Sequence, residues 1–162
     1  MKELGPDMTV PCGEGFLNVR VGAIIVKNGK VLMVRNDRTD YCYSVGGRIR
    51  MGENAEQAIV REVYEETGRM LSIDRLGFVH ELYFIGDSPS NLGKPIYELS
   101  FYFYMRTPDD FEPVCESFAE SNAKERLVWL DPCGKEKYYP SFMKDAVLNP
   151  VSGVVHVFTD DR

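Results

Sequence analysis

Gly47-Arg-Ile-Arg-Met-Gly-Glu53, seven further residues, and then Arg61-Glu62-Val-Tyr-Glu65-Glu66-Thr-Gly68 form the stretch that decides how this chain folds. Asn54 is a helix-capping residue type, and Gln57, three positions on, completes a capping-box pattern. Gly68 stands where a helix can end through a left-handed turn. Between them Ala55, Ala58, Ile59 and Val63 recur at helical spacing. The spacing therefore predicts a helix over Ala55–Thr67 with an apolar stripe facing a core. Glu62, Glu65 and Glu66 fall within roughly a 100° arc of that helix. As like charges at i, i+4, Glu62 and Glu66 cost an isolated helix about 0.2–0.5 kcal/mol. They also meet the unfavourable end of the helix dipole. A divalent cation removes the repulsion, because hard cations such as Mg2+ take oxygen ligands and share coordination with substrate phosphates. Glu53, on the loop before the helix, supplies a fourth carboxylate, and Arg61, one turn before Glu65, can hold that side chain by an ion pair. The helix alone fits a solvated acidic face equally well; Glu53 and the two glycines at fixed offsets favour the site.

Written as G-x5-E-x7-R-E-V-x-E-E-x-G, this stretch resembles the defining box of the Nudix hydrolases at eight fixed positions. Two departures stand beside the match. Arg69 follows the last glycine where the family usually has an apolar residue, and Met70 is expected to fill that role. Val45 replaces the proline that many members carry before the two glycines, so a more flexible loop is expected there, with no ligand lost. The resemblance implies a Nudix-type α/β/α sandwich with a mixed central sheet, formed as a single domain over residues 1–162. It also implies cleavage of the pyrophosphate linkage of a nucleoside diphosphate bonded to another moiety, by attack of water at phosphorus, with Mg2+ or Mn2+ as cofactor. Carried over residue by residue, Glu62, Glu65 and Glu66 match the metal-binding glutamates. The Gly47 carbonyl is a further ligand, and Glu53 a further ligand or base. Arg61 matches the arginine that orients a box glutamate, and Gly46 permits a close approach of substrate. Family members differ in which glutamate serves as base, so that role stays open.

Outside the box the signals are weaker. Arg35 ends a strand and is a candidate for substrate phosphate; an exposed strand-end arginine is the bland alternative. Tyr43, with Tyr41, can stack on a base, although aromatic residues on strands more often belong to cores. His80, Glu81 and Glu98 lie on later strands, where a lone histidine is usually structural. Glu116, Glu120 and Glu125 lie where some members place an extra ligand or base, with Glu120 the candidate among them, yet the acidic run around them reads equally as a solvated loop. Residues 86–95, rich in Gly, Asp, Ser, Pro and Asn, form the loop expected to influence the choice of leaving group.

Composition narrows the partners. A net charge of −6 argues against nucleic acid as a partner. Apolar residues at 44% and charged residues at 27% suit a globular domain. The four cysteines show neither a C-x-x-C pair nor zinc-ligand spacing, so reduced thiols in a cytoplasmic protein are expected. No signal peptide is read in residues 1–14, and the apolar run at 21–26 is too short for a membrane span. Strands are expected at 18–26, 30–35, 41–45, 72–85, 97–105, 126–130 and 153–159, with an Asn28-Gly29 hairpin turn and a late helix within 140–148. Residues 46–53 are read as loop, and 97–104 as an aromatic strand able to pack across a homodimer. ADP-ribose, nucleotide-sugar and nucleoside triphosphate substrates all remain open. A non-catalytic nucleotide-sensing domain on the same fold is the alternative, although such domains usually lose box glutamates.

Overall fold

The computed structural model describes residues 3–114 and 123–162. The elements run β1 (Thr9–Cys12), β2 (Gly15–Ile24), β3 (Val26–Lys27), β4 (Lys30–Asn36), β5 (Cys42–Ser44), β6 (Gly46–Arg48), α1 (Ala55–Thr67), β7 (Ile73–Ile85), β8 (Pro95–Met105), β9 (Glu125–Leu130), β10 (Tyr138–Tyr139), α2 (Met143–Leu148) and β11 (Val155–Asp161). The fold is mixed α/β, as the box implies, and its mixed strands divide between two sheets. One has the order β1-β2-β8-β7-β11, with β6 also on β2; the other has β10-β5-β4-β3, with β9 on β4. Each sheet contains parallel and antiparallel pairs.

Side-chain alternation along the strands builds two cores. Val21, Ala23, Leu32 and Val34 pack with Ala58, Ile59 and Val63 of α1. The intervening Ile24, Val31 and Met33 pack with Phe142, Met143 and Ala146 at α2. The two helices therefore cover opposite sides of the strand layer. Asn28 and Gly29 both take positive φ, 51° and 72°, as a two-residue hairpin turn between β3 and β4 requires.

Sequence and structure part at short or irregular pieces. β1 and β10 were not anticipated, and 46–48, read as loop, pairs with β2 as strand β6. Leu71, not Met70, fills the apolar position after the box: Leu71 is buried and Met70 is 66% exposed. Val45 is fully buried, and its carbonyl accepts the Ala23 amide at 2.8 Å, so the position is held and not loose. The segment before β1 braces the box loop: Gly5 donates to Met51, Met51 to Pro6 and Met8 to Ile49. Glu116 and Glu120 lie outside the described residues.

Candidate active site

Local chemistry sets α1 in place. Asn54 accepts the Gln57 amide at 2.8 Å while the Gln57 side chain accepts the Asn54 amide at 2.9 Å, closing the capping box. Gly68 ends the helix at φ 72°, its amide reaching the Tyr64 carbonyl. At 100° per residue Glu62 and Glu66 fall between Ala58 and Val63, so burying that stripe carries both carboxylates inward against the loop with Gly46 and Gly47.

Arg61 gathers three of the four box carboxylates. Its Nε donates to Glu53 Oε2 at 3.0 Å, and its two terminal nitrogens reach Glu53 Oε1 and Glu62 Oε1, each at 2.5 Å. A longer contact of 3.2 Å reaches Glu65, and the Arg48 carbonyl accepts a fifth bond at 3.1 Å. Glu53 is also fixed by the Arg50 amide at 2.9 Å. Burial pushes the Glu53 carboxyl upward, but the Arg61 guanidinium and the Arg50 amide outweigh it and hold it below the usual carboxylate value. Glu65 is the outermost of the four, with Arg50 at 3.6 Å on its other oxygen.

The glycine pair makes room for the other two. A Cβ on Gly47 would stand 2.6 Å from the Glu62 carboxylate, so Glu62 occupies space that any other residue would fill. Gly46, at φ 146°, would place a Cβ 2.2 Å from the Val21 carbonyl, and its amide donates to Glu66 Oε1 at 3.3 Å. Burial raises the Glu62 carboxyl, with Arg61 opposing. Burial also pushes Glu66 up to about 8, against the Gly46 amide and with the charges of Glu62 and Glu125 adding. Two carboxylates raised by burial, one of them further by its neighbour's charge, form the donor set a hard divalent cation neutralises. Among the described residues, no three acidic, His or Cys side chains are already drawn into a cage. The fit therefore rests on Glu62, Glu66 and the space Gly47 leaves, with Arg61 interleaved between the other carboxylates.

Beyond the box, Tyr43 donates to Glu125; the charge of Glu66 bears on Tyr43 and that of Glu125 on Glu66. Glu125 is thus the downstream carboxylate that the structure brings to the box. The Tyr43 ring lies 6.5 Å from Tyr41, which lies 5.2 Å from Tyr139, with the Lys137 amine over Tyr41 and Tyr139. Arg35 is in register with Cys42, on the opposite side of its sheet from Tyr43, and pairs with Glu136. His80 is buried and bonds Thr159, while Glu81 bonds Tyr97 and His156; neither joins the box. Sequence reading missed Arg20 and Asn18, which approach Glu98 from β2. A lone Arg or Asn on an apolar strand was the only signal available.

The match to the NUDIX domain model runs over residues 17–133, and with the box geometry it places the chain in the Nudix family. An ADP-ribose pyrophosphatase of Methanocaldococcus jannaschii is 36% identical over 61 residues, a stretch that spans 36% of this chain and 36% of that protein. Among solved structures, a UDP-X diphosphatase aligns with TM-score 0.58 at 18% identity, over 86% of this chain and 66% of that one. An ADP-ribose pyrophosphatase of Streptococcus suis aligns at 0.55 with 14% identity, covering 86% and 98%. A MutT Nudix hydrolase of Burkholderia pseudomallei aligns at 0.53 with 20% identity, covering 82% and 98%. At such identities the structures attest the fold. No described helix is long and apolar enough to cross a membrane.

Proposed function

We propose that the chain is a Mg2+-dependent pyrophosphohydrolase that cleaves the pyrophosphate linkage of a nucleoside diphosphate bonded to another group. The observation that carries this reading is the pair of buried carboxylates, Glu62 and Glu66, held against Gly47 and Gly46, where burial and the charge of Glu62 raise the proton affinity of Glu66. Glu62 and Glu66 would hold the cation, with the Gly47 carbonyl and Glu65 as further ligands. Bound there, Mg2+ would neutralise phosphate charge as a Lewis acid, the main requirement of attack by water at phosphorus. Arg61 orients Glu62 and Glu65 and locks Glu53 in its ionised form. Tyr43, the approach over Gly46, and Arg35 at its strand end are the proposed substrate contacts. The M. jannaschii and S. suis relatives favour ADP-ribose-like substrates and the UDP-X diphosphatase favours nucleotide sugars. A cytoplasmic location and a homodimer accompany the reading as proposals.

The test is turnover with Mg2+ across ADP-ribose, nucleotide sugars, dinucleoside polyphosphates, and normal and 8-oxo nucleoside triphosphates, with Glu65→Gln and Glu66→Gln alongside. Turnover of one class that disappears in the variants supports the hydrolase and gives its substrate type. Nucleotide binding with no turnover anywhere would replace it with a sensing domain.

A further inference from the structure

Away from the box, polar groups are buried where a strand layer of this size needs none. Register sets Asn18 beside Glu98 and Arg20 beside Ser100 across β2 and β8, and Ser100 beside His80 on β7. Two positions along, Tyr102 enters the apolar cluster at α2, so this polar strip interrupts what would otherwise be core. Asn18 is 2% exposed and the Glu98 side chain 13%. Burying such groups is costly unless their hydrogen bonds are made. Asn18 Nδ2 donates to Glu98 Oε2 at 3.3 Å, but Asn18 Oδ1, shielded from solvent, accepts no hydrogen bond among the described residues. Arg20 lies 3.5 Å from the same Glu98 oxygen, a loose contact for an ion pair, and its side chain is a third exposed. Glu98 chiefly raises the Arg20 guanidinium, and Glu66 and Glu62 add to it, so this cation stands between the strip and the box.

Resting on the hydrolase reading above, we propose that Asn18, Glu98 and Arg20 form a sugar subsite adjoining the box. The two oxygens of the partly exposed Glu98 carboxylate accept the hydroxyls of a vicinal diol, Asn18 holds that carboxylate in place, and Arg20 reaches the phosphate bonded to that sugar. The two oxygens of one carboxylate match the two donors of a ribose-like diol. A single acidic side chain plays the same part toward ribose hydroxyls in dinucleotide sites. An analogue lacking one hydroxyl would leave one of those oxygens unpaired, and sites built to bond a hydroxyl reject such analogues strongly. The substrates that fit carry an intact ribose or another sugar diol next to the pyrophosphate, and 2′-deoxynucleotides are disfavoured.

Calorimetric titration of the Mg2+-loaded protein with ribose 5-phosphate and 2-deoxyribose 5-phosphate tests the subsite without needing turnover, and neither probe has a base. Ribose 5-phosphate is expected to bind at least about tenfold more tightly. Glu98→Gln and Asn18→Ala are each expected to erase that preference and, in turnover of a diol-bearing substrate, to raise KM well beyond any change in kcat. If one variant fails to fold, by its thermal melt, the other gives the result. Equal binding of the two sugars, binding of neither, or a preference that survives the variants would overturn the subsite. Wild-type turnover that is lost in Glu66→Gln would leave the hydrolase reading standing in each of those cases. Absence of turnover beside an intact ribose preference would overturn that reading alone.

Discussion

Two acidic regions of this molecule are built in opposite ways. The box carries Glu53, Glu62, Glu65 and Glu66 within one loop and one helix, around an arginine from the same helix. The strip on β2 and β8 brings Asn18 to Glu98 across 80 positions of chain, and only strand register makes them neighbours. In the box, charge is held by charge: Arg61 is 14% exposed and Glu53 4%, so removing the arginine leaves Glu53 and Glu62 buried without their cation. In the strip, one acceptor is left open and one arginine is loosely tied. The box is organised by partners close in the sequence, and the strip by the register of strands far apart in it.

The comparison breaks first at the box glutamates. Glu66→Gln and Glu65→Gln are expected to lower kcat by at least about a hundredfold, the scale on which losing one charge-stabilising group at a reacting centre is felt. The fold should persist, because Glu66 touches the glycine loop and Glu65 lies outermost. Near-normal kcat with Mg2+ in both variants would mean that the carboxylates are an ordinary helix face. Arg61→Ala comes next. It strands Glu53 and Glu62 in partly dry surroundings, and denaturant unfolding is expected to show a loss of about 3–5 kcal/mol. A loss below about 1 kcal/mol would place this cluster with surface ion pairs.

How much of this could be read beforehand follows the same division. The limits of α1, its capping box and its left-handed end were legible because each depends on residues within four positions. So was the Arg61–Glu65 pair. Gathering Glu53 and Glu62 onto the same arginine needed the loop to fold back, which spacing alone does not state. β6 was hidden because Gly46 and Gly47 read as a turn, whereas pairing with β2 holds them in a strand and their bare Cα atoms admit Val21 and Glu62. Asn18 and Arg20 were illegible because a polar residue on an apolar strand acquires meaning only from the strand beside it.

Acidity gives a smaller effect, within the box alone. In the folded protein Glu66 keeps its proton to about 8, against an ordinary 4.5. The folded state therefore binds more protons than the unfolded chain between those values. Its contribution is fully present below the ordinary carboxylate value and is lost as pH rises through about 8. Glu53 has the opposite sign: its lowered pKa contributes stability above the ordinary value that is lost as pH falls below it. With a chelator present, Tm is expected to peak between these windows and to fall toward pH 8. Added Mg2+ should restore more Tm at about pH 8 than at about pH 5, because its ligands must be ionised. A Tm that does not change with pH over that interval in the chelated protein would remove Glu66 as its cause.

One methyl group placed in each region gives the smallest and sharpest contrast. On Gly22, beside the strip, it would stand 2.2 Å from the ring of Tyr102, a side chain with 8% exposure that packs against Phe142. That ring cannot withdraw, so Gly22→Ala is expected to cost about 1–3 kcal/mol through overpacking. On Gly47 the three atoms nearest the methyl all belong to the far end of Glu62, which can swing aside. Gly47→Ala should therefore melt close to the wild type while kcat falls about tenfold, because a positioned group displaced by an ångström loses much of its effect. If Gly47→Ala kept full turnover, the space beside Glu62 would have no part in the chemistry. If it melted as badly as Gly22→Ala, the glycine pair would be a packing device, and the difference between the two regions would lie in their charge alone.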